Sequence, residues 1–509
     1  MTYLLGIDVG TTGTKVLLVS PDGGIVARSN HEYPLYTPRP AWAEQHPADW
    51  WEATAAGIRE VLATSAVAPE EIAGIGLSGQ MHGSVFLDAR NEVLRPAILW
   101  CDQRTADQCQ WITCQAGEKT VIEETFNPVL TGFTAPKIVW LRQNEPETYA
   151  RVRKILLPKD YIRFRLTGEF ATEVSDASGT SLLNIAQRRW SQKMLAALDL
   201  TEDMLPKVYE SPEVSGRISK DAAKATGLAE GTPVVGGGGD QAAGAVGNGI
   251  VRPGIVSVTT GTSGVVFAHM DEPKMDPQLR THTFCHAVPG RWHVMGVMLS
   301  AGGSLRWYRD ALAQQEKAVA TDCGIDPYEL LAKEAAQAPP GCEGLIFLPY
   351  LSGERTPYPD PWARGVYFGI NLRHGRPHLV RAILEGVSYG LRDSLEILRA
   401  MGLEISQVRA SGGGARSALW RHIQSDVFES ELVTINVDEG PAFGVALLAG
   451  VGAGIYASVE EACDRTITVT DRTLPNDANA ALYDTYYPVY QALYASLKDH
   501  FVEVGRLVG

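Results

Sequence analysis

The chain has 509 residues, with 45 lysines and arginines against 59 aspartates and glutamates, a formal net charge of −14. Its 45% hydrophobic and 20% charged residues exclude a disordered chain and leave room for two or three domains with a large core. The acidic balance argues against a nucleic-acid partner, because holding a phosphate backbone needs a basic footprint, and the short Arg151-Val152-Arg153-Lys154 patch is read as solvated surface.

The first residues carry neither a basic stretch nor a long apolar run, so they are not read as a signal peptide, and a cytoplasmic protein is expected. The seven cysteines form no Cys-x-x-Cys pair, which points to a reducing compartment and no zinc site. Residues 4–7, 16–19 and 25–27 are apolar runs separated by short glycine-containing turns, the pattern of an antiparallel meander. Pro47 opens a helix through Trp50, Trp51, Ile58 and Leu62. Strands are expected at 72–77 and 85–87, so the sheet is mixed rather than purely parallel and the fold class is α/β. Residues 255–267 repeat the strand, Thr/Gly turn, strand arrangement of the N-terminus, which suggests two domains of one architecture facing each other. The glycine-rich stretch 236–249 is the expected boundary, dividing the chain into 1–246 and 247–509. Residues 440–459 are uncharged, but five glycines and a proline dilute them, so a buried helix is expected there rather than a membrane span.

Glycine is the residue in excess, with 51 copies and no Gly-X-Y period. Three Gly/Thr/Ser turns have the composition of a phosphate or nucleotide cradle, in which backbone N–H groups and hydroxyls meet phosphate oxygens. They contain Gly10, Thr11 and Thr12; Gly261, Thr262 and Ser263; and Gly412, Gly413, Gly414 and Ala415, the last group just before a helical pattern. Any one alone would also serve as a hairpin turn. No Walker A motif and no kinase catalytic loop is present. Gly74-x-Gly76-x-x-Gly79 matches the dinucleotide spacing, but a strand rather than a helix follows it, so a dinucleotide site is not expected. Asp8 ends the first strand beside the first turn, where an acid can cap the turn or hold Mg²⁺. Asp240 follows four glycines at the start of an alanine-rich helix. There it can cap the helix or face a substrate hydroxyl, with the helix dipole expected to keep it ionised. Met81, His82 and Trp100 follow strand ends, where mixed sheets place ligand contacts, although each taken singly would also suit a core.

Together, residues 8–15, 236–240, 260–264 and 411–415 resemble the FGGY carbohydrate kinases. Residues 132–141 and 365–370 with 382–386 resemble that family's two longer signatures. The resemblance implies two ribonuclease-H/actin-like domains with ATP, Mg²⁺ and a small sugar in the cleft between them. Residues 79–83, 94–100, 157–161 and 347–357 are most similar to members acting on D-xylulose, while the Met81-His82 pair departs from the Arg-Glu of glycerol kinases. Gln241 is glycerol-kinase-like and Cys101 stands where Asn is common, so another pentulose, L-ribulose or glycerol remains an alternative, as does an actin-fold ATPase that is no kinase. The resemblance makes Asp240 the general base and Asp8 the Mg²⁺ ligand. It puts Met81, His82, Gln241 and Trp100 at the sugar, the 10–12 and 261–263 turns at the phosphates, and 412–415 at the adenosine. A homodimer is expected, with neither a membrane nor a nucleic acid as partner.

Overall fold

The computed structural model describes residues 2–508. In the first half, β1 (Tyr3–Val9), β2 (Gly13–Val19) and β3 (Ile25–Glu32) form the expected antiparallel meander. Helix α1 (Pro47–Ser65) then leads to β4 (Ile72–Gly79), which lies parallel to β1. Strands β5 (Val214–Arg217) and β6 (Pro233–Val235) complete the order β5-β6-β4-β1-β2-β3, with β6 parallel to β4 and β5 antiparallel to β6. Gly238–Gly239 adds a short parallel pairing to the end of β4 and runs directly into helix α2 (Asp240–Gly247).

The second half repeats this wiring. Strands β7 (Gly254–Thr260), β8 (Gly264–Met270), β9 (His282–Cys285) and β10 (Trp292–Met298) are followed by helix α3 (Arg376–Ala400) and β11 (Ile405–Ser411). Helix α4 (Ala418–Phe428), β12 (Leu432–Ile435), helix α5 (Gly440–Gly452) and β13 (Val469–Thr473) come next. The sheet order is β9-β10-β8-β7-β11-β12-β13. Its directions from β10 to β13 match those of β3 to β5 in the first sheet, two antiparallel steps, two parallel, one antiparallel. The short resemblance between the two Thr/Gly turns is therefore the visible trace of a duplicated sheet topology.

Leu4, Leu5, Ile7 and Val9 of β1 are all buried, which is why that strand reads as a continuous apolar run rather than an alternating one. Helix α1 starts at Pro47, whose missing N–H costs nothing at a helix start, and buries Trp50, Ile58 and Val61 against the sheet. Helix α5 carries no charge and is buried through its middle, as expected of a helix apolar all round. Its location is less local. Although it belongs by sequence to the second half, it lies on β1 and β4 of the first sheet.

Glycines make that contact possible. A Cβ added at Gly6 would stand 1.9 Å from the Ala442 carbonyl oxygen, and one at Gly76 1.9 Å from that of Val445. Gly74 and Gly76 thus reflect a helix pressed backbone to backbone on a strand, whereas Gly79 is close to Val9 and Lys159. Helix α2 crosses α5 just as closely, with a Cβ at Gly444 meeting the Ala243 carbonyl oxygen at 1.9 Å. Among the described residues, no helix is long and apolar enough to cross a membrane.

Candidate active site

Parallel strands end together, and the polar groups gather at those ends. Asp8 pairs with Ser78 across β1 and β4, and Gly239 pairs with Gly79, so Asp8 and Asp240 sit at the carboxyl ends of the two strands that flank β4 in one sheet. In the other sheet Thr259 pairs with Ser411, which puts the 261–263 turn beside the 412–415 turn. Between the two sheets lies a cleft of about 570 Å³ lined by Asp8, Lys15, Asp240, Gln241, Gly412, Gly413 and Ala415. Six of the residues proposed from sequence are therefore brought to one cavity.

Asp240 is the first residue of α2, and Gly239 occupies the cap position, so the carboxylate is not spent on capping. Burial, reinforced by the charge of Asp8, pushes its carboxyl up to about 7, against hydrogen bonds from Gln241. Desolvation and the like charge of Asp8 thus work against the ionised form that the N-terminal end of the helix favours. Burial also pushes Asp8 up to about 6, opposed by Ser78 and by the charge of Lys15. The Oδ1 atom of Asp8 is buried without a hydrogen-bond partner. A hard, unpartnered carboxylate oxygen beside a Gly/Thr turn suits Mg²⁺.

The first turn is held from several sides. Tyr33 and Gln80 donate to the Gly10 carbonyl and Gln45 to that of Thr11, while Gln80 and Trp50 both donate to the Gln45 side chain. Trp100, which read alone would be a core residue, is 41% exposed and donates its indole N–H to Thr11 Oγ1 at 3.0 Å. The opposing turn is fixed by the amides of Gly302 and Gly303, which donate to Gly261 and Thr262, and by Arg306, which donates to Thr262 Oγ1. Gly413 stands free at the surface of its turn, whereas Gly414 is buried against Thr260 and Trp420.

Met81 and His82 lie outside the lining of that cleft. Met81 is buried against Gly239, where an added Cβ would meet its Cγ at 3.0 Å, so it supports the residue before Asp240. His82 has φ +70°, a left-handed backbone that costs a non-glycine residue about 1–3 kcal/mol. Its Nδ1 bonds the Gly179 carbonyl at 2.8 Å and its ring packs on Phe133 at 4.7 Å. Burial and the nearby charge of Lys137 push the imidazole down to about 3, so it is a neutral hydrogen-bonding group.

Sequence reasoning assigned no role to Gln45, Gln80, Lys15 or Glu439. Lys15 and Arg28 both reach Glu439 at 2.8 Å, joining the first sheet to the start of α5 at the rim of the cleft. Burial would raise the Glu439 carboxyl, but these two cations hold it below its ordinary value. The pairing spans more than 400 positions of sequence, so no local pattern announces it.

Two sheets of one wiring, facing across a cleft whose strand ends carry acids on one side and Gly/Ser/Thr turns on the other, are the frame of a phosphate-handling enzyme. Residues 3–247 match the N-terminal domain, and residues 256–453 the C-terminal domain, of the FGGY family of carbohydrate kinases. The chain belongs to that family. A xylulose kinase of Escherichia coli K12 is 41% identical over 494 residues, covering 97% of this chain and 99% of that protein. A xylulose kinase of Bacillus subtilis is 38% identical over 499 residues, covering 98% of each. The crystal structure of a xylulose kinase from Rhodospirillum rubrum superposes with a TM-score of 0.89 at 30% identity, covering 98% of this chain and 99% of that one.

Proposed function

We propose that this chain transfers the γ-phosphoryl group of ATP to the 5-hydroxyl of D-xylulose, with Asp240 taking the hydroxyl proton. The observation that carries the reading is the pair Asp8 and Asp240 at the ends of the strands flanking β4, lining one cleft with Gly412, Gly413 and Ala415. The near-full-length likeness to xylulose kinases supports the choice of sugar.

In this reading residues 1–246 hold the sugar and the first phosphate turn, and residues 247–509 hold the second turn and the adenosine site. Asp240, with a carboxyl near 7, sits where a general base works best at neutral pH. Neutral His82, Met81 and Gln241 orient the sugar hydroxyls. Gly10, Thr11 and Thr12 on one side and Gly261, Thr262 and Ser263 on the other grip the phosphates, and Gly412 to Ala415 line the adenosine. Trp100 steadies the first turn through Thr11. Asp8 would hold Mg²⁺, which supplies charge neutralisation on the phosphates when bound. Phosphoryl transfer depends on alignment and charge neutralisation more than on covalent chemistry, and a cleft between two sheets supplies both when it shuts and excludes water.

A coupled ADP-release assay across D-xylulose, L-ribulose, D-ribulose, glycerol and gluconate tests this. The highest kcat/KM is expected with D-xylulose. ATP hydrolysis that none of the sugars stimulates would overturn the kinase reading, and a clear preference for another sugar would replace the substrate.

A further inference from the structure

Lys137 is fully buried in the helix Thr134–Asn144 and does not line the cleft. A buried ammonium normally meets a carboxylate. Both hydrogen bonds of Lys137 instead go to carbonyl oxygens, that of His82 at 2.8 Å and that of Gly132 at 2.6 Å. Thr134 Oγ1, one turn earlier on the same helix, donates to the same His82 carbonyl at 3.0 Å. His82 is the residue with the left-handed backbone, φ +70°. A side chain remains in that conformation only when its surroundings over-determine it. Here two donors fix its carbonyl, the Gly179 carbonyl fixes its Nδ1, and Phe133 covers its ring.

We infer that Lys137 and Thr134 form a clamp on the main chain of His82 and so set where its imidazole meets the sugar. Lys137 and Thr134 are positioning residues, since neither lines the nucleotide cleft and both act through a carbonyl. Burial pushes the Lys137 ammonium down to about 7, against the charge of Asp102, so below that pH it gives the carbonyl a charge-assisted donor, about twice as strong as a neutral one. Gly132, the other acceptor, is pressed against the Trp100 carbonyl, where an added Cβ would stand at 2.8 Å. The same ammonium therefore ties the His82 loop to the segment that carries Trp100. The inference rests on the reading of His82 as a sugar contact.

The test uses Lys137→Met, which keeps an unbranched stem one atom shorter and removes the amine, and Thr134→Val, which keeps the side-chain volume. Thr134→Val stands in if the buried lysine variant fails to fold. Steady-state kinetics should show KM for D-xylulose, or for whichever sugar the wild type prefers, rising about tenfold in either variant. KM for ATP should stay within about twofold, and Lys137→Arg, which keeps a charged donor, should recover part of the loss. Equal rises in both KM values would mark a merely structural role and overturn the clamp. A crystal structure of Thr134→Val separates the two readings: a His82 backbone still at positive φ with an unchanged sugar KM refutes the clamp. A wild type that no sugar stimulates refutes the kinase reading, while a displaced His82 backbone in the variant still supports the clamp.

Discussion

The two halves of the molecule share one strand order but not one chemistry. The repeats align Asp8 with Thr259, each one strand away from a serine, Ser78 in the first sheet and Ser411 in the second. In the first half the strand ends carry Asp8 and Asp240, both with raised carboxyls. In the second they carry hydroxyls, with Thr259 and Ser411 bonded to each other at 2.8 Å. At these matched positions the duplicated scaffold carries carboxylates in the first sheet, which suit the proposed proton transfer and Mg²⁺ site, and hydroxyls in the second, which suit the proposed grip on phosphates. The electrostatic reason is direct: a further carboxylate at Thr259 would repel the phosphates that the turn is proposed to hold.

The largest test of this division is Asp240→Ala. Sugar-dependent ADP release should fall by about 10³-fold or more, at the upper part of the range for losing a general base, with the circular-dichroism spectrum unchanged. Substantial residual activity would remove the proton transfer from the first sheet. Asp8→Asn comes next, with a loss of about 10²-fold and a higher Mg²⁺ concentration for half-maximal rate. The acid limb of kcat/KM, expected near pH 7 in the wild type, should move to lower pH in Asp8→Asn, because the charge of Asp8 helps to raise Asp240. A limb that stays in place would separate the two carboxylates.

The same raised carboxyl has a price in stability. The Asp240 carboxyl titrates near 7 in the folded protein against an ordinary 3.8, so the stability it allows is present at low pH and is lost as pH rises between those values. Asp240→Asn should therefore stabilise the ligand-free protein by about 1–3 kcal/mol at pH 8 and by almost nothing at pH 4, read by denaturant titration at both. The smallest effect belongs to the second sheet. Ser411→Ala or Thr259→Val, which breaks one hydroxyl pair, should raise KM for ATP by about two- to tenfold and leave the sugar KM alone. A loss as large as that of Asp8→Asn would show that the division of labour is wrong.

What was legible in the sequence was what depends on neighbours along the chain. The meander at residues 3–32, the helix from Pro47 and the three glycine turns follow from local apolar spacing and turn chemistry, and they stand where those features place them. The positions of Asp8 and Asp240 at a strand end and a helix start were legible for the same reason. The charge state of Asp240 was not, because it depends on burial and on a carboxylate 232 positions away, from residue 8 to residue 240. Trp100 looks like core in isolation, and only the hydrogen bond to Thr11 explains an exposed indole. Lys137 did leave a signal, a lone cation inside the apolar run 135–141, but its meaning lay in the backbone of His82.

The glycine contacts beneath the cleft also bear on which half can move. Gly6, Gly76 and Gly444 bring α5 against the first sheet and α2 against α5 with almost no side chain between the backbones. At those three points there are no rotamers to rearrange, and the surrounding side chains Leu4, Val246, Phe443 and Leu447 are packed into one buried cluster. The first sheet, α5 and α2 then behave as a single anvil that carries both carboxylates. Any closing of the cleft would move the opposite sheet with its hydroxyl turns relative to this block, and the two carboxylates would keep their mutual spacing through the movement.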